Sequence, residues 1–166
     1  MKSTIKYGGK MSNDNQQTTR QRCSKHLTFL QMASYLGTQG TCLRRMVGCI
    51  LVDKHHHIIG SGYNGNAAGL PHCIDHPCKG ADLPSREGLH ICEAVHAEQN
   101  ALMQCANVNE IEICYVSTSP CIHCMKMLMN TSCKLIVFLD VYDEKAIDLW
   151  MTNSWETGRN YILYQA

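Results

Sequence analysis

The sequence has almost no excess of charge: 15 Lys and Arg residues face 14 Asp and Glu residues in a chain of 166. A protein that grips long nucleic acid through its phosphates ordinarily carries a basic excess. The balance therefore argues against that class, while leaving room for local cations that hold one small phosphate. Also missing is any apolar run long enough to cross a bilayer. The N-terminus has no apolar core of the kind that directs secretion. These absences lead us to expect a soluble, cytoplasmic protein with no membrane partner. No internal repeat is present, so the length fits a single domain with its own core.

What the sequence holds in quantity is 11 cysteines and 9 histidines. Without an export signal a disulfide framework is not expected. Clustered Cys and His in a reducing compartment read better as metal ligands, with the remaining thiols packed in the core.

Residues 1–22 are polar and suggest a disordered or loosely attached N-terminal arm, and residues 23–166 a single domain. Leu27, Leu30, Ala33 and Leu36, closed by Gly37, predict a first helix. Met46–Val52 and Ile58–Gly62 predict paired strands around a turn that contains His55, His56 and His57, read as a solvent-exposed turn. Residues 63–92, rich in Gly, Pro, Cys and His, predict a long loop that is functional or stapled by metal. A helix is expected over 93–106, a strand over Ile111–Ser117, and a helix opened by Pro120 and running to Asn130. A strand at Leu135–Leu139, a helix at Glu144–Met151 and a strand at Tyr161–Tyr164 follow. Strands separated by helices imply an α/β domain of helix, sheet and helix layers.

The most informative stretch is His96-Ala97-Glu98, followed after a strand by Pro120-Cys121-Ile122-His123-Cys124. Cys121 and Cys124 are three apart near the start of a helix, which puts both sulfurs on one face. The positive end of the helix favours thiolates there. His96, expected in the first turn of its helix, adds a nitrogen. Three protein ligands leave a tetrahedral zinc with an open fourth position for water, whose pKa zinc lowers to about 7 so that hydroxide forms near neutrality. Glu98 is then the general base and acid. His123 is expected to face solvent or pack, and Cys105, Cys114 and Cys133 to be core thiols. Read alone, a Cys-x-x-Cys pair is equally a structural zinc half-site or a redox pair.

The His-x-Glu and Pro-Cys-x-x-Cys arrangement resembles the signature of the zinc-dependent deaminases. Beside it stand Arg44-Arg45-Met46-Val47-Gly48, Ser61-Gly62-Tyr63-Asn64-Gly65 and His96-Ala97-Glu98-Gln99-Asn100-Ala101-Leu102. Together they resemble the deoxycytidylate (dCMP) deaminases, phage-encoded ones included, and the bacterial late-competence deaminases, over roughly residues 27–142. The resemblance implies a cytidine deaminase-like α/β/α fold with a mixed five-stranded sheet. It implies deamination of dCMP to dUMP and ammonia, a homohexamer, activation by dCTP with Mg2+, and inhibition by dTTP. If the chain is phage-encoded, its place is the host cytoplasm.

By the same resemblance Asn64, Lys126 and Tyr142 are substrate-binding, Lys126 through the phosphate. The plainer alternative for Asn64-Gly65 is a tight hairpin turn. Some members of the family carry a second, structural zinc. Cys42 and Cys73 match its ligand positions, Cys78 is a third candidate, and the fourth is His90 or Cys92. His72 lies in the same loop, and free thiols with surface histidines are the alternative. Two other functions share the zinc motif. One is an RNA- or DNA-editing cytosine or adenine deaminase, against which the balanced charge counts. The other is a non-catalytic zinc-stapled binding module, against which Glu98 counts.

Overall fold

The computed structural model describes residues 22–84 and 86–165. The expected N-terminal arm, residues 1–22, lies almost wholly outside the described residues. The chain forms α1 (Lys25–Gly37), β1 (Gly48–Val52), β2 (Ile58–Tyr63), β3 (Gly65–Asn66), β4 (Ala94–Val95), α2 (Ala97–Gln104), β5 (Ile113–Thr118), α3 (Ile122–Met129), β6 (Leu135–Asp140), α4 (Glu144–Met151), α5 (Ser154–Thr157) and β7 (Asn160–Leu163). Among the described residues no helix is long and apolar enough to cross a membrane.

Five strands make one mixed sheet in the order β2-β1-β5-β6-β7. β1 runs antiparallel to both β2 and β5, whereas β5, β6 and β7 are parallel. Every residue of β1 is buried, as a central strand covered on both faces must be. Side chains alternate across it. Cys49 and Leu51 join a core with Ala97, Ala101, Met125, Leu128 and Trp150 from α2, α3 and α4. Ile50 and Val52 join Leu30 and Ala33 of α1 on the other face. The period of two in each strand thus yields the three layers expected from the element order.

Two glycines let helices approach the sheet more closely than any side chain would permit. A Cβ on Gly48 would lie 2.0 Å from the Ala33 carbonyl oxygen of α1. One on Gly62 would lie 2.5 Å from both the Ala97 carbonyl oxygen and the Ala101 nitrogen of α2. The second contact sets the height of α2 over β2, and with it the position of His96 and Glu98.

Four readings of the sequence change. The helix expected over 93–106 begins only at Ala97, because Ala94 and Val95 pair with Asn66 and Gly65 as a two-stranded ribbon. The same pairing gives the segment after residue 63 some regular structure, together with a 3-10 turn at Leu89–Ile91. α3 begins at Ile122, with Cys121 as its N-cap, so Pro120 precedes the cap and does not occupy the first helical position. Asn64-Gly65 is no tight hairpin: Gly65 continues directly into β3, and neither residue has a positive φ. Turns of that hairpin type need left-handed backbone at one or both central residues.

Other expectations hold. Cys114 and Cys133 are core thiols and Cys105 packs against the same core. His123 is exposed. In the 53–57 turn His55 and His57 are exposed, while His56 stacks on Phe29 with ring centroids 6.3 Å apart.

Candidate active site

Among the described residues, one set of three or more His, Cys, Asp or Glu side chains offers ligand atoms all within 4.8 Å of one another: His96, Cys121 and Cys124. His96 is the N-cap of α2, with extended backbone, and not a first-turn residue. Its amide donates to Gln99 Oε1 at 2.8 Å, which fixes the helix entry. Its Nδ1 sits 3.4 Å from Cys121 Sγ and 3.4 Å from Cys124 Sγ. Zinc–sulfur bonds of about 2.3 Å and zinc–nitrogen bonds of about 2.0 Å at a tetrahedral angle require a nitrogen–sulfur separation of roughly 3.5 Å. The donor set therefore fits zinc in both chemistry and spacing. The neighbouring Cys124 thiol and the His96 imidazole pull the Cys121 thiol down to about 3, while Cys121 and burial push Cys124 up. Two thiols that share a proton in this way are a pair that a dication converts to thiolates.

Glu98, in the first turn of α2, is 4% exposed. Burial raises its pKa above the ordinary carboxylate value, while its own backbone amide and His96 work in the opposite direction. A carboxyl whose protonated form is favoured by burial is suited to carry a proton as well as to release one. It lines a pocket with His96, Cys121, Asn64, Ser119 and Tyr142. Ser119, 3% exposed, accepts from the Tyr142 amide at 2.8 Å, so the β5–α3 connection sets the position of Tyr142.

The structure brings Asn64 and Tyr142 into this pocket, but not Lys126. Lys126 is exposed on α3. It follows Cys124 by two positions, or about 200° around the helix, so the face that carries the cysteines cannot also carry the lysine. Asn64 is already engaged: its Oδ1 accepts from the Val47 amide at 2.8 Å and its Nδ2 donates to the Arg45 carbonyl at 2.7 Å. One side-chain N–H and one lone pair remain for another partner.

Outside this centre, burial alone would raise the Cys78 thiol. The Glu93 and Gly80 backbone amides and the neighbouring Cys73 and Cys92 thiols together hold it below its ordinary value. Cys92 in turn feels Cys42 and Cys78. Cys78 thus has Cys73 and Cys92 as neighbours and Cys92 has Cys42, although no three of the four bring their sulfurs within 4.8 Å of one another; His90 is exposed and has no part in these contacts. Sequence reasoning assigned no role to Arg44 and Arg45, which also line the pocket. Their place in the stretch Arg44-Arg45-Met46-Val47-Gly48 is the signal the sequence offers.

The family model described as the cytidine and deoxycytidylate deaminase zinc-binding region matches residues 23–140. The deoxycytidylate deaminase of Saccharomyces cerevisiae is 28% identical over 80% of this chain and 43% of its own. ComE operon protein 2 of Bacillus subtilis is 32% identical over 74% of this chain and 62% of its own. The chain thus spans less than two thirds of the length of both relatives. The crystal structure of dCMP deaminase from the cyanophage S-TIM5 in complex with dCMP and dUMP matches with a TM-score of 0.65 at 21% identity, over 86% of this chain and 100% of that one. At that identity the likeness establishes the fold.

Proposed function

The chain belongs to the cytidine and deoxycytidylate deaminase zinc-binding family, and from that premise we propose that it hydrolyses dCMP to dUMP and ammonia. The observation that carries this reading is Glu98, buried and free of metal-ligand duty, in the same pocket as the His96–Cys121–Cys124 set. A purely structural zinc would have four protein ligands and no need of such a carboxylate. His96, Cys121 and Cys124 would hold a zinc ion, which would supply the Lewis acidity that makes water a nucleophile near neutral pH.

The chain's own residues do the rest. Glu98 takes a proton from the attacking water and delivers it to the ring nitrogen beside C4. It then delivers the second proton to the departing amino group, so that water is consumed and ammonia leaves. Asn64 keeps a donor and an acceptor for a sugar hydroxyl, and Tyr142 walls the pocket. The test is turnover: purified zinc-loaded protein releases dUMP and ammonia from dCMP and leaves a single-stranded oligonucleotide untouched. Deamination of the oligonucleotide with none of dCMP would replace this reading with the editing one.

The finer parts of the reading are these. A second, structural zinc is held by Cys42, Cys73, Cys78 and Cys92; the contacts that join these thiols favour Cys92 over His90 as the fourth ligand. dCTP with Mg2+ activates and dTTP inhibits. A groove lined by Thr41, Tyr63, Gly65, Asn66 and His72 supports this, because Tyr63 and Gly65 flank Asn64 in the chain and tie the groove to the substrate pocket. Thr41 Oγ1 and Asn66 Oδ1 there are buried without a hydrogen-bond partner. The assembly is a homohexamer; exposed Tyr35, Met103 and Trp155 supply apolar contact surface. The enzyme works in the cytoplasm, that of the host if the chain is phage-encoded.

A further inference from the structure

Two guanidinium groups, those of Arg44 and Arg45, line the pocket, and a third, that of Arg86, lies beside the pocket wall at Tyr142. Arg45 Cζ lies 4.8 Å from the centre of the Tyr142 ring and Arg86 Cζ lies 5.4 Å from it. Arg86 also donates to the Tyr142 carbonyl. Arg44, which lines the pocket, holds the backbone on either side of Arg86. Its Nη1 donates to the Glu87 carbonyl at 3.0 Å and its Nη2 to the Pro84 carbonyl at 2.5 Å. Arg86 sits at φ 78, in the left-handed region that a long side chain avoids unless its surroundings hold it there.

Among the described residues none of the three has a carboxylate partner, because the one ion pair joins His57 to Asp53. The one acidic residue in the pocket wall is Glu98, buried beside the metal ligands. The mouth is therefore cationic and uncompensated. Two of its guanidiniums are aimed by one aromatic ring, and their planar forks match a phosphate.

We propose that Arg86, with Arg45, binds the 5′-phosphate of the substrate and so sets the preference for a nucleoside monophosphate over the free nucleoside. This rests on the deaminase reading above. In that arrangement Arg44 is a positioning residue: it fastens the segment that presents Arg86. Base and sugar reach inward past Tyr142 and Asn64 to Glu98, and the phosphate dianion stays at the mouth between the two arginines. Lys126, exposed on α3, is not needed.

The test compares dCMP with deoxycytidine, and the product dUMP with deoxyuridine. Arg86→Asn removes the guanidinium yet suits a left-handed backbone, so the fold is not put at risk. Loss of a charge-assisted hydrogen-bonding group should raise KM for dCMP about 10- to 100-fold with kcat little changed, and leave turnover of deoxycytidine unaltered. Arg45→Gln should act in the same direction. The double variant should lose most of the discrimination, and Arg86→Lys should recover part of it. Calorimetric titration should show dUMP bound about 10-fold or more weakly by Arg86→Asn, with deoxyuridine unchanged.

An unchanged KM for dCMP in both single variants, or equal losses on dCMP and deoxycytidine, would overturn the proposal and leave the deaminase reading standing. A wild-type protein that deaminates neither compound would overturn the deaminase reading. The dUMP titration then decides the arginine site by itself: equal affinity in wild type and Arg86→Asn removes it.

Discussion

Replacing Gly62 with alanine tests how the sheet aims the catalytic helix. The added Cβ would lie 2.5 Å from the Ala97 carbonyl oxygen and from the Ala101 nitrogen, and ordinary contact begins at 3.4 Å. Both obstacles are backbone atoms of α2, so no side chain can swing aside. The helix must rise by about 1 Å or the strand must yield, and overpacking of this kind costs about 1–3 kcal/mol. Ala97 and Glu98 are the first two residues of α2 and His96 is its cap. The same displacement therefore moves the nitrogen ligand and the proton carrier away from Cys121 and Cys124, which ride on α3. A misplacement of about 1 Å can reduce turnover about 100-fold.

The assay pairs urea unfolding with dCMP turnover and zinc content. Gly80→Ala is the control, since its Cβ meets nothing nearer than 3.5 Å and its φ is not positive. Gly62→Ala should lose both stability and activity, and the control neither. A Gly62→Ala protein with wild-type stability and turnover would refute the claim that this contact positions the site.

Glu98→Gln should keep fold and zinc while turnover falls about 100- to 10,000-fold, because the amide preserves shape and loses the proton carrier; steady-state rates with metal analysis check it. Cys124→Ala should lose the catalytic zinc itself, seen as a fall of about one zinc per chain by elemental analysis. Metal-replete wild type should hold about two zinc ions per chain, and Cys73→Ser about one, with faster protease cleavage within residues 63–92. The rate should depend sigmoidally on dCMP, become hyperbolic with dCTP and Mg2+, and shift to higher dCMP with dTTP. Hyperbolic kinetics unmoved by either triphosphate would remove regulation and leave the chemistry intact.

Much of this protein is legible in its order of residues. Unbroken apolar runs mark β1, β5 and β6, because a strand covered on both faces buries side chains that point either way. The Cys121–Cys124 spacing and His96-Ala97-Glu98 identify the metal site, because the chemistry needs those atoms whatever the surroundings. Hydrogen bonds between segments distant in sequence are not written in local pattern. Ala94 and Val95 read as the start of a helix, and only pairing with Gly65 and Asn66 makes them strand and His96 a cap.

Lys126 and the arginines show the same limit. A lysine two residues beyond a metal ligand looks close in sequence, but the helix turns it to solvent. Arg45 and Arg86, 41 positions apart, meet over one tyrosine ring because the sheet places Tyr142 there and Arg44 fastens the intervening loop. Ligand identity follows from side-chain chemistry and is local. Which charges face a common cavity depends on how distant segments pack, and that is decided only when the chain closes on itself.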